Sequence, residues 1–159
     1  MAGKYFDNMP RILSIDYGTR RLGLAISDET GQFAFGLETV HVQSDADAVA
    51  AIIKIARGYD PPVTRMVLGM PILQSGSTNP MAETVKCFQS QLESAGFMVR
   101  VYDERYSSAI AERVLLAADV SRAKRKAVKD KMAAQIILRD VLDNEAFVRG
   151  WDAGPKDSQ

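Results

Sequence analysis

One cysteine and one histidine stand in 159 residues, and that scarcity excludes several kinds of site at once. A lone Cys87 cannot form an intramolecular disulfide, and without a group of His and Cys side chains there is no ligand set for zinc. Charge of one sign is equally lacking: Lys and Arg number 20, Asp and Glu number 20, and the formal net charge is zero. Affinity for a polyanion must therefore come from local clustering rather than from the field of the whole molecule. No apolar run approaches the roughly 20 residues of a membrane-spanning helix, and the amino terminus lacks the charged-then-apolar layout of a secretory signal, so no membrane partner and a cytoplasmic location are expected. There is no internal repeat or low-complexity block.

What is present is 47% hydrophobic content in a chain long enough for one core and too short for two comfortable ones. A single domain over 1–159 is expected, with its core at about 11–147 and loose ends at Met1 to Asn8 and Gly150 to Gln159. Arg11 to Asp16 reads as a first strand, Leu22 to Ser27 as a second and the stretch around Phe33 to Val40 as a third, joined as an antiparallel meander. A helix from about Asp45 to Arg57 carries Val49, Ile52, Ile53 and Ala56 at helical spacing, and Asp60-Pro61-Pro62 stops the chain before a fourth strand, Arg65 to Met70. A helix from about Asn79 to Ser94 then leads through Ala95-Gly96 to a fifth strand, Phe97 to Tyr102. Strand, helix, strand implies a right-handed parallel crossover, so the fourth and fifth strands should run parallel to the first. A short helix near Ala109 to Ala117 and a long one from about Val128 to Phe147 complete an α/β domain with a five-stranded mixed sheet flanked by helices.

Three acids sit where folding alone would not place them. Asp16 closes the first strand, Glu104 follows the fifth, and Asp130 falls on the apolar stripe of the last helix, in line with Ala134, Ile137 and Val141 at i+4, i+7 and i+11. A carboxylate withdrawn from water is costly unless it is paired, hydrogen-bonded or bound to a cation, and a divalent metal would supply a shared partner. Ligands of open α/β sheets gather outside the carboxyl ends of parallel strands, where Asp16 and the pair Asp103-Glu104 lie. For Asp130 capping is the rival explanation, because a helix dipole favours acids in the first turn. Positive charge clusters nearby in sequence. Arg122, Lys124, Arg125, Lys126, Lys129 and Lys131 oppose Asp130 alone, and Arg20 and Arg21 follow Asp16. The basic run is either a solvated loop or a track for a sugar-phosphate backbone. Gly18 allows a sharp turn after Asp16, bringing Thr19, Arg20 and Arg21 toward a substrate phosphate; an ordinary hairpin turn is the plainer alternative. His41 is expected at the surface, Cys87 as helix filler, and Tyr17, Tyr102 and Tyr106 in packing rather than base stacking.

Five motifs occur in order: Asp16-Tyr17-Gly18-Thr19, Leu22-Gly23-Leu24-Ala25, Leu68-Gly69-Met70-Pro71 with Gly76-Ser77, Asp103-Glu104-Arg105-Tyr106-Ser107-Ser108, and Lys129-Asp130-Lys131-Met132-Ala133-Ala134. Together, over roughly Arg11 to Asn144, the chain resembles the YqgF family, also called RuvX. Ser75 replaces an acid common in that family, and Ser107-Ser108 replaces its more usual serine-threonine. The resemblance implies a ribonuclease H-like fold and a nuclease, described in the family either as maturing the 5′ end of pre-16S rRNA or as a Holliday junction resolvase. It implies Asp16, Glu104 and Asp130 as catalytic residues and ligands of one or two Mg²⁺ or Mn²⁺ ions, with Asp103 as a less favoured neighbour because adjacent strand residues face opposite ways. Expected nucleic-acid contacts are Thr19, Arg20, Arg21, Arg105, Arg122, Lys124, Arg125, Lys126 and Lys129. The expected partners are precursor rRNA or branched DNA and the ribosome, with the chain a monomer or homodimer. A rival of another class is a non-catalytic nucleic-acid-binding or transcription-accessory protein. A phosphate loop like that of Asp16 to Thr19 also occurs in the actin, sugar-kinase and Hsp70 superfamily, but those proteins close ATP between two lobes and this chain has length for one.

Overall fold

The first strand, β1 (Ile12–Asp16), is apolar at every position but Ser14 and Asp16, as befits a strand covered on both faces. Beside it runs β2 (Arg21–Ser27), antiparallel, with Ser14 opposite Ala25 and Asp16 opposite Gly23. On its other side β1 pairs in parallel with β5 (Arg65–Met70), which pairs in parallel with β6 (Met98–Asp103). The outer edge of β2 holds two short antiparallel segments, β3 (Ala34–Gly36) and β4 (Val40–His41). The strand order is β3-β2-β1-β5-β6, with β4 on β2, so the mixed sheet and its parallel half match the expectation. The third strand is a pair of segments rather than one, because the chain leaves the ladder after Gly36. The computed structural model describes residues 10–70, 80–103 and 122–152, the last by backbone alone up to residue 131.

Among the described residues, four helices cover the sheet: α1 (Asp45–Arg57), α2 (Pro80–Ser94), α3 (Arg122–Leu142) and α4 (Glu145–Asp152). Ser44 caps α1, its side chain accepting from the Asp47 amide at 3.1 Å, and Pro80 occupies the first position of α2, where a missing N–H is harmless. Strand alternation sorts the side chains by layer. Leu13, Ile15, Leu24 and Leu68 pack with Ile52 of α1 and Phe88 and Leu92 of α2. Ile12, Ala25 and Val67 face the opposite way, against Ala134, Ile137 and Val141 of α3 and Trp151 of α4. Each such large side chain, fully withdrawn from water, contributes about 1.5–3 kcal/mol of transfer free energy.

The carboxyl-terminal helices differ from expectation in three ways. Helix α3 begins at Arg122 rather than near Val128, so the basic run is helical and not a loop. Asp130 accordingly lies in the third turn of α3, outside the first turn in which an acid would cap it. The long helix also ends at Leu142, and a new one starts after Asn144, whose Oδ1 accepts from the Phe147 amide at 3.1 Å. Residues 150–152 are packed rather than loose: Trp151 is buried, its indole N–H donates to the Met98 carbonyl at 3.2 Å, and Asp152 pairs with Arg65 at 2.6 Å. The Arg100 guanidinium lies 4.0 Å from the Phe147 ring centroid and donates to the Phe147 carbonyl, so that any Cβ at Gly150 would collide with it. The expected short helix near 109–117 lies outside the described residues, as do Tyr106 and residues 71–79.

Asp28 organises the turn between β2 and β3, accepting from the amides of Gln32 and Phe33, each at 3.0 Å, and from the Thr30 hydroxyl. Partial burial pushes its carboxyl upward, but the hydrogen-bond donors together outweigh this and hold it below its ordinary value of 3.8. A lowered native pKa means that the carboxylate stabilises the fold above that ordinary value and that this contribution is lost as pH falls from there through the lowered native value. Asp28→Ala should cost about 1 kcal/mol near neutral pH, and urea unfolding into the acid range should show a shallower acid limb for the variant than for the natural chain.

Candidate active site

Asp16 is the last residue of the β1 ladder, and its surroundings follow from register. In β2 its partner is Gly23, in β5 its partner is Gly69, and Gly69 in turn pairs with Tyr102 of β6. Directly paired residues hold their Cβ atoms about 5 Å apart on one face, so a glycine on each side leaves room beside the Asp16 side chain. Asp16 has the parity of Ile12, which faces α3, and is only partly buried. The arrangement is a half-open carboxylate between two glycines at the carboxyl end of a parallel pair.

The same parity separates the two acids after β6. Val99 and Val101 pack toward α1 and α2, Tyr102 toward α3 and α4, so Asp103, last in the strand, shares the face of Val101 and not that of Asp16. Glu104 and Arg105 lie outside the described residues. Asp130 belongs to α3 by its backbone, one turn before Ala134, and the stripe read from the sequence is real: Ala134, Ile137 and Val141 are all fully buried. Among the described residues no group of three His, Cys, Asp or Glu side chains is gathered for a metal, a set that includes neither Glu104 nor the Asp130 side chain.

After Asp16 the chain makes a tight turn. A Cβ at Gly18 would overlap the Arg21 carbonyl, so that position accepts only glycine without a shift of backbone. Thr19 and Arg20 lie at the tip, Arg20 exposed, and Arg21 opens β2 half-buried. The Arg20 carbonyl accepts from the Val42 amide at 2.9 Å, tying the turn to the end of β4. Arg122, Lys124, Arg125, Lys126 and Lys129 are brought together by the first turns of α3. Positions 122, 126 and 129 stand at i, i+4 and i+7, on a single helical stripe.

Two contacts near Asp16 have no counterpart in the sequence pattern. The Tyr17 ring packs on Phe88 with centroids 4.9 Å apart, and its hydroxyl donates to Asp45 Oδ1 at 2.8 Å. Burial, then the hydrogen bond to Asp45 and that residue's negative charge, push the phenol up to about 12, so it remains a donor at any working pH. Tyr102, level with Asp16 across Gly69, donates to Asp140 Oδ2 at 3.3 Å and meets Phe147 edge to face. Both tyrosines pack as expected. Asp45 and Asp140 are 28 and 38 residues from their partners, and no local signal links such pairs. His41 is exposed and Cys87 is an exposed residue of α2, both as expected.

Comparison with known proteins adds what geometry alone does not. A relative from Symbiobacterium thermophilum, described as "Putative pre-16S rRNA nuclease", is 44% identical over 137 residues, covering 86% of this chain and 94% of its own. One with the same description from Halothermothrix orenii is 42% identical over 88% of this chain and 99% of its own. Among solved structures, T. thermophilus RuvC in complex with Holliday junction substrate superposes with a TM-score of 0.52 at 15% identity, covering 81% of this chain and 92% of that one. That likeness is one of fold, the ribonuclease H-like sheet with its helical cover. The family model for RuvX, described as Holliday junction resolvase, matches residues 10–144, and the chain belongs to that family.

Proposed function

We propose that this chain is a metal-dependent endonuclease, a hydrolase of phosphodiester bonds that matures the 5′ end of pre-16S rRNA in ribosome biogenesis. The observation that carries the proposal is the position of Asp16: an acid at the carboxyl end of a central strand, glycine on both sides, in a chain of the RuvX family. The donor set fits a hard cation. Asp16, Glu104 and Asp130 would hold one or two Mg²⁺ or Mn²⁺ ions through carboxylate oxygens, without the nitrogen or sulfur ligands that favour zinc. Bound there, such ions activate a water and neutralise charge developing on the phosphodiester.

Several placements support these assignments. The parity that turns Asp103 away from Asp16 favours Glu104, its neighbour in sequence, as the partner. Asp130 is on the stripe of α3 that packs on β1 and β2 farther along, and its place in the third turn removes capping as the reason for an acid there. Thr19, Arg20 and Arg21, on the turn and strand after Asp16, would meet substrate phosphate, together with Arg105. The stripe of Arg122, Lys126 and Lys129, with Lys124 and Arg125 beside it, adjoins Asp130 and would track a sugar-phosphate backbone. Partners are then a nucleic acid and the ribosome that carries it. No described helix is long and apolar enough to cross a membrane, in keeping with action in the cytoplasm.

A second reading, cleavage of four-way DNA junctions, draws on the family description and would call for a two-fold dimer cutting paired strands symmetrically. A side-by-side assay with Mg²⁺ and Mn²⁺ on precursor rRNA, single-stranded RNA and junction DNA separates the two. Precursor rRNA should be cut at its 5′ side, and Asp16→Asn should lower the rate by about 10³-fold or more while leaving stability within about 1 kcal/mol. Full cleavage by Asp16→Asn in a clean preparation would remove Asp16 from the catalytic set and overturn the metal-site assignment; no cleavage of any of these substrates, with nucleic-acid affinity unchanged by Asp16→Asn, would leave a non-catalytic nucleic-acid-binding protein; preferential cutting of junctions would move the substrate to DNA. Neutralising Arg122, Lys126 and Lys129 together should weaken binding across sequences alike and flatten the salt dependence by about one power of salt for each phosphate no longer neutralised.

A further inference from the structure

We infer that Tyr17 is a positioning residue for Asp16, tying the site's end of β1 to the helices beneath the opposite face of the sheet. The inference rests on the function proposed above and adds a residue to it. Its starting point is the pair of contacts that Tyr17 makes directly after Asp16 leaves the ladder. The residues paired with Asp16 itself are Gly23 and Gly69, and the next side chain along anchors the chain as it leaves the ladder. Tyr17 has the opposite parity, and its ring lies on Phe88, a fully buried residue of α2. Its hydroxyl reaches Asp45 in the first turn of α1, 2.8 Å away. Asp45 is itself steadied, since its Oδ2 accepts a long 3.5 Å contact from Gln91 of α2 and its helix start is capped by Ser44.

Two helices thus hold one side chain by two unlike contacts, a ring face and a directed hydrogen bond. With the Tyr17 Cα fixed and the Gly18 backbone close against the Arg21 carbonyl, Asp16 is directed to the α3 face and the turn displaying Thr19 and Arg20 is set with it. Removing the phenol oxygen keeps the ring on Phe88, so the fold survives, but the turn loses its directed anchor. Geometry at a reacting centre is sensitive to shifts of about 1 Å, which can cost on the order of 10²-fold in rate. Loss of one anchor should therefore register in metal binding and turnover more than in folding.

The test uses the whole chain with Mn²⁺ as the probe, its binding followed by water-proton relaxation and cleavage of precursor rRNA measured in parallel. Tyr17→Phe should weaken Mn²⁺ binding and lower kcat, each by about tenfold, with KM for the nucleic acid little changed. Asp45→Ala should reproduce these losses, the double variant should be no worse than either single one, and Asp45→Asn, which keeps an acceptor oxygen, should restore most of the function. A lower Tm with unchanged Mn²⁺ affinity and kcat would make Tyr17 merely structural and overturn the inference, as would additive losses in the double variant. Should Tyr17→Phe fail to fold, Asp45→Ala against Asp45→Asn decides by the same readouts. Asp16→Asn is the control: if it binds Mn²⁺ like the natural chain, the metal-site reading falls and the positioning role with it, whereas an Asp16-dependent site indifferent to Tyr17 defeats the positioning role alone.

Discussion

The alternation of side chains along β1 is the constraint on which the rest depends. A central strand with a hydrogen-bonded neighbour on each side and helices over each face has no solvent-facing side, so each residue commits to one layer or the other. Ile12, Ser14 and Asp16 go to the side of α3; Leu13, Ile15 and then Tyr17 go to the side of α1 and α2. A slip of one residue would exchange the two sets, burying an acid among Ile52, Phe88 and Leu92. The apolar residues thus hold the acid in register, and the register aligns Asp16, Gly69 and Tyr102 across three strands.

The two ends of the sheet do different work. At the amino ends of β5 and β6 the packing is dense: Trp151 donates to Met98, Asp152 pairs with Arg65, and Phe147 lies under the Arg100 guanidinium, whose charged form burial disfavours. Helix α4 closes that end. At the carboxyl end of β1 the flanking residues are glycines and the chain turns back at once through Gly18. Among the described residues, the aromatic and ionic contacts of the carboxyl-terminal helix gather at the end where no chemistry is proposed.

Much of this is legible in the residues themselves, and what is not has physical causes. Strands β1, β2, β5 and β6 are readable because apolar runs are bounded by turn residues, and the stripe of Ala134, Ile137 and Val141 gives α3 its inner face. The start of α3 is hidden because its first turns are basic rather than apolar: Lys and Arg are good helix formers, yet they supply no periodic contrast against which to see a helix. Its end is hidden for the opposite reason. Apolar residues continue past Leu142 at plausible spacing and outweigh the capping signal of Asn144 before Glu145. Asp16 is legible from its position at a strand end, but the glycines beside it become meaningful only once register is known. Tyr17 with Asp45 belongs to a third kind, a contact between distant segments that exists only when the layers have assembled.

Gly150 carries a further implication. Its missing side chain is the space into which the Arg100 guanidinium fits while it lies on Phe147. A larger residue at 150 would turn the far end of that arginine out of its aromatic bed, a move its flexible side chain can make, so the void sets the arginine's resting place and not the course of the backbone.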